Sequence, residues 1–148
     1  MDNLRDEEGA NTGVSLEFFE ASNRRWNGSK TDGMPSGLYP NFVRSEYYQV
    51  SSFAPVVMTL EGLNPSLTYN FTFFGSANTT NNRSTSYEIG STEVILNGAQ
   101  NTDNIVQITN VTPDQNGEIK ITVDRANGSS QAVLNAMIVE AFLDDGQA

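Results

Sequence analysis

The sequence predicts an all-β chain, an antiparallel β-sandwich, and three observations predict it. The run from Leu67 to Phe74 alternates, with Tyr69, Phe71 and Phe73 pointing one way and Asn70 and Thr72 the other. A two-residue period is what a half-buried strand requires, because successive side chains leave opposite faces. Next, residues 86–89 and 92–96 flank Gly90-Ser91, a pair suited to a two-residue II′ turn, which would put Tyr87, Ile89, Val94 and Leu96 on one face. Finally, residues 118–124 alternate cleanly after the turn-forming Pro113-Asp-Gln-Asn-Gly117. Short strands separated by polar turns are the pattern of a sandwich or barrel.

The remaining elements follow in order. Residues 1–12 are acidic and read as a flexible lead-in, 13–143 as a single β-sandwich domain and 144–148 as a tail. Residues 13–21 suit a first strand, although Leu16 and Phe19 also fit a short helix. Residues 23–41 form a long loop punctuated by Asn27-Gly28, Asp32-Gly33, Met34-Pro35 and Tyr39-Pro40. Long loops in compact domains are often functional. Strands are expected near 43–51 and 55–61, followed by a turn at Gly62-Leu-Asn-Pro65, and again at 105–111. Asn127-Gly128 turns the chain once more, and residues 132–143 are apolar almost throughout. Periodicity does not separate buried strand from buried helix there.

At 148 residues the chain has room for a core without disulfides. Its net charge of −10 argues against nucleic acid, whose phosphates require a basic face, and against an anionic membrane surface. No apolar run approaches the roughly 20 residues of a membrane-spanning helix. The first ten residues do not read as a signal peptide. There is no Cys and no His, which removes Cys–His and Ser–His–Asp catalysis together with thiolate and imidazole metal sites. Polarity comes largely from Asn, Thr, Ser and Gly, a balance that suits a sugar-facing module or an extracellular scaffold.

Four segments carry a resemblance: Leu60-Glu-Gly-Leu-Asn-Pro-Ser-Leu-Thr-Tyr-Asn-Phe-Thr-Phe-Phe-Gly-Ser76, the run from Asn82-Arg83 to Tyr87, Val111-Thr-Pro-Asp-Gln-Asn-Gly-Glu-Ile119, and Leu134-Asn-Ala-Met-Ile-Val-Glu140. Together they resemble jelly-roll modules of galactose-binding-like character, which accompany carbohydrate-active enzymes and adhesins in secreted bacterial proteins. The resemblance implies strand for residues 132–143. Modules of this kind usually open with an apolar strand ahead of the acidic loop that corresponds here to Asp6-Glu-Glu-Gly9. Without that strand, an open edge is expected along residues 132–143, left either because the sequence is cut short of it or because a partner chain supplies it.

Six residues are candidates for ligand contact: Trp26, Tyr39, Arg44, Tyr48, Asn82 and Arg83. Trp26 lies in Arg24-Arg-Trp-Asn-Gly28, among charge and turn formers, where an aromatic can stack on a sugar ring. Its plainer role is a lid on the core. Tyr39, Arg44 and the consecutive Tyr47 and Tyr48 make a second aromatic–cation group. Only one of the paired tyrosines can face the core from a strand. Arg44 can fork onto hydroxyls or a carboxylate, or pair with Glu46 or another local acid. Asn82 and Arg83 sit in a polar loop able to recognise hydroxyls. The resemblance favours a bracing role for Arg83, bonding loop carbonyls. Asp6-Glu7-Glu8 and Asp144-Asp145-Gly146 offer oxygens to calcium but lack the alternating spacing of an EF-hand loop. No cofactor is expected, and no acid stands in a recognisable catalytic context.

The expectation is therefore a non-catalytic extracellular module, secreted or at the cell surface, that binds glycan through loop aromatics and Asn or Arg side chains. The alternative is a structural module, an adhesin spacer or fibre subunit, pairing with another polypeptide or a second copy through an open strand edge.

Overall fold

The structure is a computed structural model that describes residues 1–19, 34, 36–45, 47–50 and 54–143. The aromatic strand is β4 (Leu67–Phe74), and it is central to the smaller sheet. On one side it pairs with β10 (Ala136–Leu143), on the other with β7 (Val106–Val111). The larger sheet has five strands in the order β1 (Ser15–Phe19), β3 (Val56–Glu61), β8 (Ile119–Arg125), β5 (Ser84–Ile89) and β6 (Thr92–Asn97). Among the described residues a short pair, β2 (Tyr48–Val50) with β9 (Ala132–Leu134), completes the set, and every pairing between these strands is antiparallel.

Tyr69, Phe71 and Phe73 share one face, as their spacing predicts, and all three are buried. Across from them the larger sheet contributes Leu16, Met58, Leu60, Tyr87, Ile121 and Val123 to the same core. The two sheets meet in a ring stack: Phe73 lies 4.5 Å from Tyr87, centroid to centroid, at an interplanar angle of 4°. This is the inner-face interdigitation of a sandwich. The predicted hairpin is present, with Ile89 opposite Thr92 and Tyr87 opposite Val94. Gly90 supplies the positive φ (61°) that the first central position of a II′ turn requires.

Three expectations are revised. The strand expected at 43–51 is a short helix, α1 (Asn41–Ser45), followed by the three-residue β2. Pro40 stands just before the helix, and its carbonyl accepts the first helical bonds, from Val43 and Arg44 at 3.0 and 3.1 Å. Residues 1–12, expected to be a flexible lead-in, instead fold back along β1. Leu4 donates to the Val14 carbonyl at 2.6 Å, Leu16 donates to the Met1 carbonyl at 2.9 Å, and the Asp6 carboxylate closes the acidic turn by accepting from Glu8 and Ala10. Finally, residues 132–143 are strand, as expected, but they break at Asn135. The first part, β9, is paired with β2, so among the described residues the open edge of this segment is that of β10.

The strand directions sort the connections to two ends. Among the described residues, 34, 36–45, 47, 75–83, 97–105 and 126–135 gather at one end, the loop end. The tight turns at 62–66, 90–91 and 112–118 lie at the other.

Candidate functional site

The five candidate residues that fall within the described residues all lie at the loop end; Trp26 lies outside the described residues. Their side chains are engaged to very different degrees. Arg44 is buried at 8 % exposure and is committed to its own loop. Its Nε donates to the Tyr39 carbonyl at 2.6 Å and its Nη1 to the Met34 carbonyl. A guanidinium presents a rigid fork of donors, and here the fork binds backbone. Tyr39 is half-buried with its ring 4.7 Å from that of Phe74, tilted by 56°. Tyr48 is half-buried against the core from β2.

Asn82 is a hub. Its Oδ1 accepts from the Ser84 N–H and hydroxyl at 2.9 and 2.7 Å, and its Nδ2 donates to the Asn127 carbonyl at 2.9 Å. Its own carbonyl accepts from Ser129 Oγ at 2.8 Å and from Arg83 Nη1 at 3.0 Å. Asn82 thereby ties the 78–83 loop to the connection after β8, and Arg83 braces the same loop through a carbonyl. An amide carries two donors and one oxygen, and most of that capacity is spent inside the protein.

Two further asparagines do comparable work. Asn135, at the break between β9 and β10, accepts from the Ser76 N–H at 2.7 Å and donates to the Val43 and Arg44 carbonyls at 3.1 and 3.2 Å. Those carbonyls belong to α1, so Asn135 satisfies helix acceptors that a five-residue helix leaves orphaned. Asn101 donates to the Gly75 and Asn104 carbonyls at 2.9 and 2.8 Å, and its own carbonyl accepts from Ser76 Oγ at 2.6 Å. The Leu38 N–H donates to the Thr102 carbonyl at 2.8 Å, joining residues 36–45 to the 97–105 loop. Gly37 makes that approach feasible. Its φ is +153°, and a Cβ there would stand 2.5 Å from the Thr102 carbonyl oxygen.

What this frame presents to solvent is Phe42, 72 % exposed on α1, with Leu38 at 54 % in the bend four residues before it. Phe42 is absent from the candidates read in the sequence. In the sequence it stands between the loop at 23–41 and the strand expected near 43–51, and only its being an aromatic two residues after Pro40 marks it. Thr102, Asp103 and Asn104 follow directly on the Leu38–Thr102 bond, and Asp103 and Asn104 are exposed. The arrangement offers a flat apolar face on a segment held at several points, and the backbone bond from Leu38 joins that segment to the loop that carries Thr102, Asp103 and Asn104. Among the described residues there is no group of three or more acids that could hold a metal ion, and no helix long and apolar enough to cross a membrane.

No protein-family model matches this chain, and no curated protein does. Among solved structures it is similar to the CBM35 module of Abf62 from Cellvibrio japonicus, at 15 % identity over 87 % of this chain and 97 % of that one, with a TM-score of 0.46. It is also similar to CpGH89CBM32-5 from Clostridium perfringens, solved in complex with GalNAc-β-1,3-galactose, at 12 % identity over 85 % of this chain and 94 % of that one, with a TM-score of 0.41.

Proposed function

We propose that this chain is a non-catalytic glycan-binding module of a secreted or cell-surface protein, and that it meets its sugar at the loop end. The observation that carries the reading is Phe42: a solvent-exposed ring on a segment fixed by Arg44, Asn135 and the Leu38–Thr102 bond. A sugar ring offers a face of C–H groups that packs on an aromatic plane, while its hydroxyls need donors and acceptors around the rim. Leu38 extends the apolar platform, and Thr102, Asp103 and Asn104 supply the rim. Because the platform is already ordered, little conformational entropy is lost when a ligand docks.

In this reading Tyr39, Arg44, Asn82 and Arg83 act mainly by holding the loops, and Trp26 and Tyr48 are retained as further contacts. Catalysis is not part of the proposal: the chain has neither His nor Cys, and none of its acids stands in a recognisable catalytic context. The test is a glycan array that includes GalNAc-β-1,3-galactose, followed by calorimetric titration of wild type and Phe42→Ala. Binding abolished in a variant with unchanged melting temperature supports the assignment. Undiminished binding by Phe42→Ala refutes the placement of the platform.

A further inference from the structure

A second surface, independent of the loop end, lies along β10. This strand pairs with β4 through eight consecutive positions, from Ala136 opposite Phe74 to Leu143 opposite Leu67, with no bulge. Among the described residues its other edge pairs with nothing, since β10 is the outermost strand of the three-stranded sheet. An edge strand presents a row of free N–H and C=O groups and invites another strand. Proteins normally blunt such an edge with Pro, Lys, a bulge or a covering segment. β10 has neither Pro nor Lys, its register is unbroken, and its single charge is Glu140.

The side chains agree with the backbone. Met137, Val139 and Ala141 lie opposite Phe73, Phe71 and Tyr69, so they share the core face. Their partners are buried to 5 % exposure or less, yet Met137 and Val139 are only half-buried and Ala141 is exposed. Among the described residues nothing covers the core along this side. The opposite side of the sandwich is closed, because β6 and β7 lie against each other. The outer edge of β1 is already covered around Val14 and Leu16 by residues 1–5. Among the described residues, β10 is the long strand whose edge is left receptive.

We propose that β10 accepts an extended strand from a different polypeptide, added antiparallel or parallel to its free edge. Each occupant residue facing inward is apolar and covers Met137, Val139 or Ala141. The face shared with Glu140 carries a basic residue. Charge selects a foreign strand over a second copy: each chain carries a net −10, and pairing two β10 edges would bring two Glu140 carboxylates into one ladder. Backbone bonds supply the attachment and alternate side chains the selectivity, which is the logic of strand addition.

The test uses the whole chain and a synthetic nonapeptide alternating Val with Thr and carrying one Lys among the Thr positions. Amide hydrogen exchange, read residue by residue, should show new protection confined to residues 136–143, with a raised melting temperature. The same peptide N-methylated at alternate residues keeps its side chains but cannot form the ladder, and should give neither effect. Replacing the Lys by Glu should weaken binding by up to about fivefold, and Glu140→Lys in the protein should reverse that preference. Absence of protection at millimolar peptide, or equal binding of the N-methylated form, overturns the proposal. A concentration-dependent dimer of the chain alone, with β10 protected in it, overturns the foreign occupant in favour of a second copy.

Discussion

The hydroxyl of Tyr87 in β5 donates a 2.6 Å hydrogen bond to the carbonyl of Val133 in β9. The N–H of the same Val133 donates to Thr85 Oγ1 at 2.8 Å. Val133 sits opposite Gln49 in the β2–β9 pair, so two side chains of β5 satisfy the backbone groups that β9 turns away from that short ladder. Gly75 closes over this junction. A Cβ there would stand 2.6 Å from the Val133 carbonyl oxygen and 2.9 Å from Tyr87 Oη. The buried Tyr87–Val133 contact therefore fixes where the loop end begins.

Tyr87→Phe should destabilise the fold by about 1–3 kcal/mol, because it leaves a buried carbonyl without its donor. Urea denaturation with an unchanged m-value would check this. A loss below about 0.5 kcal/mol would mean that the carbonyl finds another partner.

Burial pushes the Tyr87 hydroxyl well above the usual tyrosine range, with the Thr85 hydrogen bond acting weakly the other way. The neutral form is favoured in the folded state, so its contribution to stability is fully present below about pH 10, where unfolded tyrosine titrates. Above that pH, stability falls by up to about 1.4 kcal/mol per pH unit for this group until the folded pKa is reached. Tyr87→Phe should remove that part of the alkaline slope, as measured by denaturation at pH 9 and pH 11. An identical slope in both proteins would assign the loss to other residues.

Gln49 is 3 % exposed, and both polar atoms of its side-chain amide lack a hydrogen-bond partner among the described residues. An unsatisfied buried amide costs about 1–3 kcal/mol. Gln49→Met keeps the shape and removes the polar atoms, so its melting temperature should rise. A fall would show that the amide is satisfied in solution.

Asn135→Ala and Phe42→Ala separate support from contact. The first removes the bonds to Ser76, Val43 and Arg44 and should lower stability by about 1–3 kcal/mol while weakening sugar binding. The second should abolish binding with a stability change within about 0.5 kcal/mol, as for an exposed side chain. Thermal melts and titrations on both variants distinguish the two patterns.

The strands were legible where a two-residue period decides which face is buried. Tyr69, Phe71 and Phe73, and the hairpin around Gly90, rest on local geometry alone. The loop end was legible only in composition, because its contacts are distant in sequence: Asn135 reaches the Val43 carbonyl 92 residues away. Phe42 escaped notice because Phe42-Val43 resembles the start of a strand, and only the Pro40 helix start turns that ring to solvent. Asn82 and Arg44 read as recognition groups by type, yet their polar atoms bind the protein's own backbone, which a linear sequence does not display. The open edge of β10 was foreshadowed by its run of apolar residues, whereas the pairing of β9 with β2 was not.

The measurement that tests the central claim most directly is glycan binding by the intact chain, shown to be folded by circular dichroism, compared with Phe42→Ala and Trp26→Ala. The account predicts specific binding that Phe42→Ala abolishes without changing the fold. A blank array on folded protein would contradict it and leave strand addition at β10 as the function the molecule supports.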